Sequence, residues 1–204
     1  DFETVVDNAL TAVFLHSGQV CSAGARLIVE ESIADEFVDR LVERAGAIRL
    51  GGPFDDKAET GPLTSAQHLE KVEKYVAAGL AEGAVLRCGG ERPEDPALAD
   101  GFYYLPTVLD GCTSRMSVTQ DESFGPVLTV QSFQHEAEAV AMANGAPRSL
   151  AAGVWMRDHG TADRLSRDLD FGCVWTNAHL PFVSEMPHGG FGASGYGKDL
   201  SGYG

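Results

Sequence analysis

The sequence predicts an α/β fold: a layered, largely parallel sheet with flanking helices. Short strand-like runs alternate with helical apolar stripes along the whole chain. Apolar residues make up 44% of the 204, enough for a packed core and unlike a disordered chain. No linker, internal repeat or low-complexity block interrupts the alternation, so one unit over residues 1–204 is expected.

Residues 2–15 place Val5, Val6, Ala9, Leu10, Val13 and Phe14 at helical spacing, and Ser17-Gly18 supplies the stop. A loop of small residues around Cys21 follows, then a short buried strand from Arg26 to Glu30. Ser32 is the expected N-cap of the next helix, with Ile33, Phe37, Leu41 and Val42 on its buried face. Residues 50–62 are punctuated by Gly and Pro and read as loop. Thr64 to Gln67 has capping-box spacing, and Leu69, Val72 and Val76 carry a third helix. Further strands are expected at 84–88, 102–105, 127–133, 152–156 and 173–177, with Pro106 confining the second of these to an edge or an end. Helices are expected at 137–144 and 161–169. Beyond Asn177 no regular period survives. In open α/β sheets ligands gather at the carboxyl ends of strands, and Asn177 stands at such an end.

Composition excludes several classes of function. A net charge of −15 repels phosphate backbones, so no nucleic-acid partner is expected. No apolar run approaches the roughly 20 residues that span a membrane, so no membrane association is expected. The four cysteines, Cys21, Cys88, Cys112 and Cys173, form no CxxC pair and fit free thiols in a reducing cytoplasm. The six histidines show no paired-ligand spacing, and no metal site is expected.

The candidate chemistry centres on Cys21. It lies among Ser, Gly and Ala residues that leave its sulfur open to a ligand and its backbone amides free to face one. A thiolate attacks carbonyl carbon and is favoured where amides or a cation converge. The plain alternative is a loop cysteine with no role. A second constellation is Glu122-Ser123-Phe124-Gly125-Pro126. Here a carboxylate suited to two ribose hydroxyls and a ring suited to a nicotinamide sit two apart on a stiff turn; the alternative is a strand-entry turn with a solvated Glu122. Gly190 to Gly195 matches GxGxxG but lacks the preceding strand and following apolar helix of a dinucleotide fingerprint, so these glycines read as turn and packing positions. Trp175, Phe182 and His188 can line an apolar pocket, and Glu185 can add a carboxylate suited to a cationic ligand. The alternatives are a core Trp175 and a solvated Glu185.

Three of these segments, in order, resemble signatures of the aldehyde dehydrogenase superfamily. Phe14 to Ala25 (FLHSGQVCSAGA) resembles its active-site cysteine signature, and Glu122 to Val127 (ESFGPV) its cofactor motif. Asn177, Met186 to Gly190 and Ser194 to Gly197 resemble its C-terminal signature. The resemblance implies that Cys21 is the nucleophile, that Glu122 and Phe124 hold the nicotinamide half of NAD, and that Asn177 and the tail lie on the substrate side, where the residues alone already suggest a pocket of Trp175, Phe182, Glu185 and His188. It places His68 and Lys71 on a helix reaching toward the cofactor. It implies a homo-oligomeric parent in which the dinucleotide-binding domain, a Glu-Leu-Gly-Gly general base and an oxyanion-hole asparagine precede Asp1, with an oligomerisation segment beyond Gly204. This chain is then the catalytic-domain portion, and NAD against NADP stays open because the residues that read the ribose phosphate belong to the upstream domain.

Residues 183–190 with 194–199 look most like the aminobutyraldehyde dehydrogenase branch, which implies an aminoaldehyde such as 4-aminobutanal. Betaine aldehyde and succinate semialdehyde dehydrogenases are the neighbouring alternatives. The last would need a cationic clamp, and Lys198 is the one tail candidate. Two readings of other classes remain: a non-catalytic binding module, and a thiol hydrolase in which His16, five residues before Cys21, would be the sequence-local base.

Overall fold

In the computed structural model, which describes residues 1–203, helix α1 spans Phe2–Phe14. It turns its expected stripe inward, with Val6, Leu10, Val13 and Phe14 buried. It gives way to a 3₁₀ turn, Leu15–Gly18, in which His16, Ser17 and Gly18 all adopt positive φ. Strand β1 (Arg26–Glu30) leads directly into α2 (Glu31–Gly46). The helix starts two residues early: Glu30 is its N-cap, and the Ser32 hydroxyl donates to the Glu30 carboxylate instead of capping. Its buried face is Phe37, Val38, Leu41 and Ala45, while Ile33 is exposed.

Helix α3 (Ala66–Ala81) is capped by Ser65, whose Oγ accepts the His68 backbone N–H; Thr64 lies one residue outside. Strand β2 (Val85–Cys88) precedes β3, which covers Thr107–Asp110 rather than 102–105. Pro106 has no N–H to give a ladder, so pairing begins after it, with the Thr107 N–H donating to the Pro126 carbonyl. A short helix α4 (Ser117–Gln120) and strand β4 (Val127–Phe133) follow. These four strands form one sheet in the order β1-β4-β3-β2, parallel except for β2 on β3.

Side chains alternate across this sheet as the pleat requires. Val108, Leu128 and Val130 face α1 and α2, whereas Leu109 and Val127 face α3 with Leu69, Val72 and Val76. The sheet is thus covered on both faces, and its central strands are buried on both sides.

Helix α5 (Glu136–Asn144) ends on the Arg26 guanidinium, which donates to the Met142 and Ala143 carbonyls. A two-residue strand β5 (Arg148–Ser149) precedes β6 (Ala151–Val154), α6 (His159–Asp168) and β7 (Cys173–Thr176). Strands β6 and β7 pair in parallel as a separate two-stranded sheet. Asp158 caps α6 by accepting the Thr161 N–H. The tail has little regular structure, but Phe191–Gly192 forms β8, antiparallel to β5. No α-helix follows Gly195 among the described residues, so the GxGxxG match opens no helix; Gly172, just before β7, packs so closely on the Gly189 carbonyl that it has no room for a side chain. No helix among the described residues is long and apolar enough to cross a membrane.

Candidate active site

Cys21 is the first central residue of a turn closed by the Ala23 N–H donating to the Val20 carbonyl at 3.0 Å. The side chain is exposed, and its Sγ stands 3.9 Å from the Ser22 Oγ. The turn is fastened at entry and exit. The Gln19 amide donates to the His16 and Pro62 carbonyls and accepts the Thr64 N–H at 3.0 Å, and the Gly24 N–H donates to the Ala12 carbonyl at 2.9 Å. Just before it, Ser17 is buried against the loop at 60–61. Its N–H donates to Thr60 Oγ1 at 2.8 Å, its own hydroxyl donates to the Gly61 carbonyl, and Thr60 donates back to the Phe14 carbonyl. Buried polar groups paired this fully fix geometry, because every one of them would lose its partner if the loop moved.

The second motif sits directly on the first. Gly18, at φ +72°, lies where a Cβ would stand 2.0 Å from the Gly125 carbonyl oxygen. Gly125 in turn packs on Val72 of α3, where a Cβ would be 2.6 Å from a methyl. Two glycines allow the cysteine segment and the Glu122–Pro126 turn to touch backbone to backbone. Phe124 also has positive φ, at 53°, and its carbonyl is held 2.7 Å from His68 Nε2 with the two rings edge to face. His68 therefore serves this turn from α3. Lys71 is exposed and takes no part in it. The Glu122 carboxylate is exposed and faces the Arg148 guanidinium at 3.5 Å.

Cys21, Glu122, Phe124 and Asn177 all line one open cavity of about 1250 Å³. Asn177 reaches it from the end of β7 in a left-handed conformation, with its Oδ1 accepting the Met156 N–H at 2.9 Å. Trp175, Phe182 and His188 are not among the cavity-lining residues; they form a run of edge-to-face rings beside it, 5.6 Å and 4.7 Å between centroids. Glu185 is exposed and makes no ion pair among the described residues. Lys198 is occupied by the Gly190 carbonyl and the face of Phe191, so it does not point a free cation at a ligand. His16 is exposed, and no contact joins it to Cys21.

One residue joins the two groups, and sequence reasoning passed over it. The His179 ring lies 4.9 Å from Trp175, edge to face, and its Nε2 bonds the Ser22 carbonyl at 2.7 Å. Burial holds this imidazole below the usual histidine range, so it is neutral near pH 7. A neutral ring facing a carbonyl carries its proton on Nε2. Its one sequence signal is its place just past the carboxyl end of β7, three residues after Thr176.

A cysteine turn, a carboxylate-and-ring turn and an asparagine at a strand end thus converge on one cavity. The sequence pattern of the aldehyde dehydrogenase family matches residues 1–204, and the chain belongs to that family. Among its relatives, the betaine aldehyde dehydrogenase of Bacillus subtilis (strain 168) is 50% identical over 200 residues, 98% of this chain and 41% of the relative. The 4-trimethylaminobutyraldehyde dehydrogenase B of Danio rerio is 43% identical over 201 residues, 98% of this chain and 39% of the relative. The crystal structure of the Staphylococcus aureus betaine aldehyde dehydrogenase in complex with NAD+ superposes with a TM-score of 0.98 at 43% identity, covering 100% of this chain and 41% of that one. A variant of the same protein was solved with NAD+ and a BME-modified cysteine. The chain spans about two fifths of the length of the curated relatives it matches.

Proposed function

We propose that this chain carries the thiol half of an NAD-dependent aldehyde dehydrogenase, and that the substrate is an aldehyde bearing a cationic nitrogen. The observation that supports the reading is the backbone contact of the Cys21 segment with the Glu122–Phe124 turn, on one cavity. The residues fit the cofactor. Glu122 offers an open carboxylate for ribose hydroxyls, and Phe124 offers a ring on a backbone fixed by His68 and Gly125. When bound, NAD+ would accept the hydride that converts a Cys21 thiohemiacetal to a thioester. The chain's own part is covalent. The Cys21 thiolate adds to the aldehyde carbon, the carbonyl oxygen takes the negative charge, and the Cys21 backbone N–H would steady it. Attack by water on the thioester then releases the carboxylic acid and returns the thiol.

The ring run of Trp175, Phe182 and His188 supports a cationic substrate, since aromatic faces attract ammonium groups. A free 4-aminobutanal-type aminoaldehyde fits such a wall with Glu185 nearby in sequence. The relatives named for betaine aldehyde and trimethylaminobutyraldehyde favour a quaternary ammonium as the second reading. The engagement of Lys198 speaks against succinate semialdehyde. Assembly as a homo-oligomer and a cytoplasmic location belong to the same proposal. The test is NAD+ reduction by the full-length protein carrying this chain, with 4-aminobutanal, betaine aldehyde and succinate semialdehyde compared. Turnover of either cation, lost in Cys21→Ala, is expected; preference for the carboxylate substrate would refute the substrate class, and activity surviving Cys21→Ala would refute the mechanism.

A further inference from the structure

We propose that His179 is a positioning residue for the nucleophile: its Nε2–H holds the tip of the Cys21 turn and couples that turn to the ring wall of the tail. The inference rests on the reading of Cys21 as the nucleophile.

The argument starts from what fastens the turn. Entry is secured by Gln19 and exit by Gly24, both through groups that carry no charge and belong to α1 or the loop at 62–64. The tip is different. The peptide between Ser22 and Ala23 is pinned on both sides. Its N–H points inward to the Val20 carbonyl, and its C=O points outward to His179, 157 residues along the chain. No other contact reaches that carbonyl among the described residues. Loss of the His179 bond would leave the turn-closing peptide held on one side only, next to an exposed thiol.

The ring is fitted to this task. Trp175 of β7 packs against it edge to face. Gly24 and Gly153 come so close that a Cβ would stand 3.6 Å from its Nε2 and 2.8 Å from its Nδ1, respectively. The groups shown against the imidazole are thus an indole, two glycines and the Ser22 carbonyl, none of them charged. Burial favours the neutral ring, which can donate from one nitrogen only, and the Ser22 carbonyl takes that donor. His179 also lines the cavity, whereas Trp175 and Phe182 do not. A ligand pressing on the ring wall therefore meets the Cys21 turn through this side chain.

The test compares the chain with His179→Phe, which keeps an aromatic ring and loses the donor, and His179→Gln, which keeps an N–H donor and loses the ring. Amide exchange is followed at Ala23 and Gly24, and iodoacetamide alkylation of Cys21 is followed by mass spectrometry against Cys88 in the same molecule. Exchange at Ala23 is expected to rise about five-fold in His179→Phe, the worth of one buried hydrogen bond, and to stay near the original rate in His179→Gln. Alkylation of Cys21 is expected to slow in the Phe variant alone, because the turn that carries the thiol is no longer held at its tip, while Cys88 reacts unchanged. Unaltered exchange in His179→Phe would overturn the proposal. So would a Gln variant that behaves like Phe, which would assign the ring a packing role. A Cys21 no more reactive than Cys88 in the unmodified chain would refute the nucleophile, and the exchange arm would still decide the tie.

Discussion

The contact between Gly18 and Gly125 is where the two halves of the site are joined, and Gly18→Ala tests it directly. At φ +72° an alanine is in the left-handed region, which costs about 1 kcal/mol or slightly more for a residue with a Cβ. The added methyl would also stand 2.0 Å from the Gly125 carbonyl oxygen and 2.4 Å from its carbon, with Pro126 N at 3.0 Å. These are backbone atoms, and they cannot retreat, because Gly125 already rests on the Val72 methyls and the Pro126 carbonyl accepts the Thr107 N–H at 2.9 Å. Overpacking against a rigid neighbour adds roughly 1–3 kcal/mol. A total near 3 kcal/mol corresponds to a fall in Tm of roughly 6–12 °C for a chain of this size. Thermal unfolding by circular dichroism measures it. The displaced turn carries Glu122 and Phe124, so NAD+ affinity in the full-length protein should fall with the Tm. A Gly18→Ala protein with unchanged Tm and unchanged NAD+ affinity would show that the two segments are not packed as described.

Thr60→Val removes the hydroxyl that takes the Ser17 N–H and reaches the Phe14 carbonyl, and should lower the urea-unfolding free energy by about 1–3 kcal/mol; no change would mean the Ser17 loop is held by something else. The four thiols should alkylate in a fixed order at pH 8. Cys21 is exposed, whereas burial pushes the Cys88 and Cys173 thiols up and Cys112 to about 11, so mass spectrometry should find Cys21 modified first and Cys112 last. Stability should also decline with acid through His179. Above pH 6.5 the ring is neutral in both folded and unfolded chains; below it the unfolded chain takes the proton first, because the folded value is depressed by burial. A plot of Tm against pH from 7.5 to 5 should therefore fall less steeply in His179→Gln, and identical slopes would contradict a buried neutral ring.

The sheet and most helices were legible because their signals are local. Val6, Leu10 and Val13 repeat at helical spacing, and the run from Val127 to Phe133 is long enough to declare itself a strand. What failed was short or set by pairing. Strand β3 has only Thr107 to Asp110, and Tyr103-Tyr104 just before Pro106 outweighs it in side-chain pattern. Strands β5 and β8 have two residues each and exist because the tail folds back on Arg148 and Ser149, which no periodicity announces. The site was legible as motifs and not as a constellation. Cys21, Glu122 and Phe124 stood out by their neighbours, but the 43-residue reach from Ser17 to Thr60 and the 157-residue reach from Ser22 to His179 are products of the fold.

The two sides of the cavity are held by different physics, and this has a consequence for change. Around Cys21 and Glu122 the fixing contacts are the backbone-on-backbone approach of Gly18 and Gly125 and the buried hydrogen bonds of Ser17 and Thr60, where almost any added atom collides or strands a polar group. On the tail side the contacts are ring edges, and Phe182 and Met186 are largely exposed. Replacing such a side chain forfeits little burial and leaves no buried donor unpaired. Replacing those exposed side chains is therefore expected to leave the Cys21 turn in place, provided the change spares His179, which touches both the turn and Trp175.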